Sequence, residues 1–143
     1  MRLWPLPFSE RWPNPANYGG IDTAQYRKTA AAVLPLLSGH IDSTLNGRGR
    51  FFAWPIRSNP LDAPKQAYAR YLQLTSLIRK ADPQMPILSR LPATSLGGVK
   101  APDGLMRMVD LHAPRAEAFD PLNKPLSPNI LDQPLPGLWL CPD

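Results

Sequence analysis

Nineteen of the 143 residues are proline, more than twice the usual share of about 5%. Proline fixes φ, donates no backbone hydrogen bond and drives the preceding residue away from the α region. Long helices and central strands therefore fit only in the gaps between prolines, and eleven of the nineteen fall between Pro83 and Asp143. A chain of this length has room for one domain and one compact core.

The gaps predict a mainly α chain with extensive irregular and extended structure. Residues 1–20, with Trp4, Phe8, Trp12 and Tyr18 set among four prolines, read as an N-terminal arm that cannot bury its own rings. Residues 21–82 read as a small helical-hairpin core. Its first helix opens on the capping box Asp22-Thr-Ala-Gln25, with Ile21 and Tyr26 at the staple positions, and Pro35 is expected to end or kink it near Leu34. Asp62 is expected to cap the second helix, which keeps Ala67, Tyr71, Leu74, Ile78 and Ala81 on one stripe and is stopped by Asp82-Pro83. Residues 83–143 read as a proline-rich extended strap, in which only 104–112 has the pattern of a strand or short helix.

Charge is unevenly spread. Residues 1–80 hold eleven Lys and Arg against four Asp and Glu, whereas residues 81–143 hold five against seven. A basic first half suits nucleic acid or the acidic face of a protein. Cys141 is the only cysteine, so no internal disulfide forms. Pro5 and Pro7 break any signal-peptide core, the chain starts at its own Met1, and no apolar run approaches the length of a membrane span. A soluble chain that is not secreted by a standard signal, and from which no leader has been removed, is expected.

The stretch Asn46-Gly-Arg-Gly-Arg-Phe-Phe-Ala-Trp-Pro-Ile-Arg57 is the most distinctive motif. It joins the two helices over residues 46–61. Its arginines could meet phosphates while rings stack on bases, but a single Arg-Gly-Arg lacks the repetition of arginine-glycine tracts. A turn followed by an extended segment that buries Phe52 and Trp54 on one side is the better reading. Protein docking is thus expected at Trp4, Phe8, Trp12, Phe51, Phe52, Trp54, Leu138 and Trp139, with Arg48, Arg50 and Arg57 as contacts to an acidic partner or to phosphate.

Other motifs carry less. His40, His112 and Cys141 are too few for a zinc site. Asp110-Leu-His112 could place an acid and a base on one face of a strand, but with no nucleophile beside it His112 is expected to be a satisfied surface histidine. Gly19-Gly20 and Gly97-Gly98 read as tight turns or hinges rather than phosphate loops. Pro125 to Pro128 has the spacing of an aromatic-groove ligand, yet the tail suits a strap along a neighbouring subunit. The expected function is a non-catalytic accessory or minor structural subunit docking to larger proteins in a multi-subunit assembly, with a tailed-phage virion (capsid, connector or tail) as the leading setting by analogy. No cofactor, metal, membrane or small-molecule substrate is expected. The alternatives are a ribosomal-type nucleic-acid-associated subunit in the cytoplasm and a small enzyme-inhibiting binding protein.

Overall fold

The computed structural model describes residues 2–46 and 49–113. The expected strap beyond residue 113, with Leu138 and Trp139, lies outside the described residues, as does Arg48. In order, the elements are β1 (Arg2–Pro5), α1 (Ala24–Leu45), β2 (Gly49–Phe52), α2 (Pro64–Ala81), β3 (Leu88–Ser89), β4 (Ser95–Leu96), β5 (Val99–Lys100) and β6 (Leu111–His112). Short 3-10 turns stand at Pro15–Tyr18, Pro60–Asp62 and Leu105–Met108. Helix and extended chain are thus mixed, and much of the chain is irregular.

The short strands are arranged by backbone pairing. β1 pairs in parallel with β2, and β3 with β6. One further parallel bridge, Ala53 to Ile87, joins the two pairs. Four extended segments consequently lie side by side in the order β1, β2, β3, β6, all running one way. Among the described residues β1 is an edge, and this explains how a proline-rich segment enters a sheet. Leu6 donates its N–H to Phe52 O at 2.8 Å, so the nitrogens of Pro5 and Pro7, one residue to either side, point off the free edge where no donor is needed. The same prolines blunt that edge against pairing with another chain.

Parallel neighbours need a crossover, and α1 and α2 supply the first two. Both helices therefore run against the strands and alongside each other in the same sense. The side-chain contacts agree: Asp22, at the start of α1, accepts from Gln73 midway along α2, and Ser38 near the end of α1 donates to Asp82 at the end of α2, at 3.1 Å. The expected helical hairpin is not formed, because β2 carries the chain back between the helices.

One core joins all the described regions. Leu6 and Phe8 are fully buried with Tyr26, Ala30 and Leu34 of α1, Tyr68, Tyr71, Leu74 and Ile78 of α2, and Ile87, Leu91, Leu96 and Leu105 further on. Residues 1–20 are thus no free arm: Pro5 and Pro7 hold the segment extended, and alternation turns Leu6 and Phe8 to the helix side. Phe8, expected as a docking residue, is a core residue. Residues 83–113 likewise pack into the core rather than forming a strap.

The helix starts differ from expectation by one residue each. Thr23 caps α1, its Oγ1 accepting from the Tyr26 N–H at 3.1 Å and donating to Tyr18 O at 2.7 Å. Asp22 is left to the Gln73 contact, and no capping box forms. At α2 the residue before Pro64 must leave the α region, so Ala63 takes the cap position with φ −152° and no side-chain bond, while Asp62 closes the preceding 3-10 turn. α1 runs through Pro35. Ala31, whose carbonyl loses its helical N–H partner there, is an exposed residue. The glycine pair at 97 and 98 does turn the chain tightly: it makes the two-residue β4–β5 hairpin with φ of +53° and +78°.

These placements generate two expectations for denaturant unfolding. Phe8→Ala, which would cost nothing on a free arm, destabilises the chain by about 3–5 kcal/mol. Thr23→Ala costs about 1 kcal/mol through the lost cap, more than Asp22→Ala does.

Candidate functional site

Residues in register on parallel strands share a face, and Trp4 pairs with Phe51. Leu6, Phe8, Phe51, Ala53, Ile87 and Ser89 therefore lie toward the helices, while Phe52, Trp54, Leu88, Arg90 and Leu111 lie on the second face. Phe51 accordingly packs against the core, and Phe52 and Trp54 are half-buried. Trp4 and Trp12 are each 45% exposed. The backbone of Arg50 lies in β2.

Around Trp54 two cations converge. The Arg57 guanidinium carbon stands 5.8 Å from the ring centroid and that of Arg90 5.9 Å, within cation–π range. Both arginines are half-buried, and neither pairs with a carboxylate among the described residues. Arg57 donates through Nη2 to Leu6 O. Trp54 Nε1, Arg57 Nε and Arg90 Nε are shielded from water without an acceptor, a condition that costs about 1–3 kcal/mol per donor.

Glu10 is the nearby acid, and it is committed elsewhere. Its carboxylate accepts from the Arg57 N–H at 2.9 and 3.0 Å and from the Ser58 N–H at 2.7 Å, pinning the N-terminal segment to the chain after β2. Its contact with Arg11 is a loose 3.8 Å. A cleft of about 220 Å³ opens beside it, lined by Ser58, Asp62, Gln66 and Arg70 among others.

A second charged group is structural. Arg79, in the last turn of α2, donates to Pro83 O at 3.0 Å and Met85 O at 2.8 Å and pairs with Asp110, whose carboxylate also accepts from the Ile87 N–H at 2.8 Å. Asp110 is thereby held away from acid–base work with His112. His112 is not a surface residue: β6 turns it inward, it is 6% exposed, and Nε2 lies 2.9 Å from Leu91 O. Burial lowers its pKa below the usual 6.5, partly offset by the Leu91 carbonyl. The core tyrosines shift the other way. Burial raises Tyr68 to about 12, and Tyr26 also to about 12 with help from Glu10 and Tyr18. Tyr71 is raised by burial too, moderated by the Ser89 and Thr75 hydroxyls.

Arg90 and Glu10 escaped the sequence reading. Arg90 stands 33 positions beyond Arg57 in a stretch without aromatics, and its only signal is its place between the buried Ser89 and Leu91 in an alternating run. Among the described residues no group of His, Cys, Asp and Glu is arranged to hold a metal, and no helix is long and apolar enough to cross a membrane. Comparison with protein-family models, curated proteins and solved structures finds no match to this chain.

His112 makes stability depend on pH. Its folded pKa lies below the unfolded value, so the unfolded chain binds the proton first as pH falls. Its contribution is full above about 6.5 and is lost as pH falls from there through the folded value. Thermal unfolding from pH 7.5 down to pH 5 should show a steeper fall in Tm for the parent chain than for His112→Gln; equal slopes would remove His112 as the cause.

Proposed function

We infer that this chain is a non-catalytic subunit that docks onto a larger protein through Trp4 and Trp12. The observation that carries the reading is their exposure. Phe8, Tyr26, Tyr68 and Tyr71 are buried at 2% or less and Tyr18, Phe51, Phe52 and Trp54 are half-buried, while these two rings are each 45% exposed on a segment that is itself tied into the sheet. A rigidly held, partly exposed tryptophan carries large apolar area at little entropic cost, which is why tryptophan dominates the energetic centres of protein interfaces. The surplus of cations in the first 80 residues steers such a surface toward an acidic partner. The setting we propose, by analogy, is a multi-subunit particle such as a tailed-phage virion.

Nucleic-acid binding is the competing reading, supported by the same cations. Salt separates the two, because each neutralised phosphate contributes a slope of about 0.9 in log K against log salt. The test is co-sedimentation of the tagged chain with its native assembly between 50 and 200 mM salt. Trp4→Ala/Trp12→Ala, folded by circular dichroism, should lose at least about tenfold in incorporation, equivalent to one lost contact of about 1.4 kcal/mol, with little change across the salt range. Unchanged incorporation of the double variant, together with a steep salt dependence, would give the nucleic-acid reading first place.

A further inference from the structure

We propose that Tyr71 and Arg90 share one tightly held water molecule, bound in a small cavity between α2 and the strand row. The cavity measures about 20 Å³ and is lined by Ile56, Ser58, Tyr71, Ser89, Arg90 and Leu91 among others. About 10–15 Å³ admits one water, so this space holds a single water and is too small for an organic ligand. Tyr71 carries the argument. It is 1% exposed, and its hydroxyl has no hydrogen-bond partner. Tyr71 belongs to the buried stripe of α2 with Leu74 and Ile78, so packing the apolar ring carries its polar end into the core. The Ser89 and Thr75 hydroxyls are its neighbours, but neither bonds it. A buried hydroxyl without a partner bears the full cost of its lost hydration, whereas a bridging water restores its hydrogen bond.

The other polar groups on the cavity wall complete the set. Arg90, at the end of β3, lines the same space, and its Nε is shielded from bulk solvent without an acceptor. Ser89 is buried, and its Oγ accepts from the Leu91 N–H at 3.1 Å, which leaves it a second lone pair. Ser58 brings a further hydroxyl. Water matches this wall because it both accepts and donates: it takes the Tyr71 Oη–H and Arg90 Nε–H bonds and gives one to a serine oxygen. Three partners is the usual number for a buried water, and cavities that stay dry are apolar throughout. The water thereby joins α2, the chain after β2 and the end of β3. It also fixes the Arg90 side chain, whose guanidinium carbon stands 5.9 Å from the Trp54 centroid.

The inference stands whether or not Trp4 and Trp12 dock a partner, and its test uses the free chain. A crystal structure of the full-length chain at about 1.5 Å resolution, grown with bromide as the sole halide, should show one water within about 3.2 Å of both Tyr71 Oη and Arg90 Nε, with no anomalous bromine signal at that point. In solution, Tyr71→Phe strips the water of a partner, and the unfolding constant from denaturant titration should rise at least about fivefold. A hydroxyl with nothing bound to it predicts the opposite, an unchanged or smaller constant. A bromide peak in the cavity, a direct Tyr71–Ser89 hydrogen bond that closes it, or a dry cavity would each overturn the proposal. An unchanged unfolding constant for Tyr71→Phe would overturn it even if no crystals grew.

Discussion

Ala53 makes two backbone hydrogen bonds of 2.8 Å, donating to Pro86 O and accepting from Leu88 N–H, and the remaining architecture hangs on them. They join the β1–β2 pair to the β3–β6 pair and so turn two marginal ribbons into one row. The small side chain matters as much as the bonds. Ala53 is fully buried, and a larger residue at that position would push the helix layer away from the sheet.

The ends of the row are held by charge. On one side the Glu10 carboxylate gathers the amides of residues 57 and 58, and Arg57 returns a bond to Leu6 O, closing β1 onto the chain after β2. On the other, Arg79 and Asp110 tie the last turn of α2 to the entries of β3 and β6. Each acid accepts from backbone N–H groups that short strands would otherwise leave unpaired, so these contacts replace the ladder bonds that strands of two to four residues cannot make. Between them the stripe of Tyr71, Leu74 and Ile78 fills the core, and the fully buried Leu6 and Phe8 meet it from the edge strand.

Much of the helical part was legible. The apolar stripe of α2 and its stop at Asp82 follow from periodicity and from Pro83, and the turn at Gly97-Gly98 follows from two residues that accept positive φ. The sheet was hidden for physical reasons. Its strands are too short for alternation to show, and Arg2 pairs with Gly49 across 47 positions, a separation that local pattern does not encode. Residues 1–20, with prolines 5 and 7, read as an arm, although a spacing of two is what an edge strand permits. The caps shifted because Pro64 forces its predecessor out of the helix and because Thr23 could bond both forward and back. Of the candidate site, Trp54 and Arg57 were visible as a motif, but Arg90 comes from another strand, and His112 was misplaced because its orientation depends on pairing with Ser89.

The central claim is that the N-terminal segment is a strand of the fold, holding Trp4 and Trp12 in fixed positions, rather than an arm ordered only by a partner. Native-state amide hydrogen exchange on the isolated chain measures this directly at Leu6, whose N–H bonds Phe52 O. The account predicts that Leu6 exchanges together with Ala53 and Leu88 in one cooperative opening, with the same free energy and the same denaturant dependence. Rapid exchange at Leu6 while Ala53 and Leu88 stay protected would contradict it.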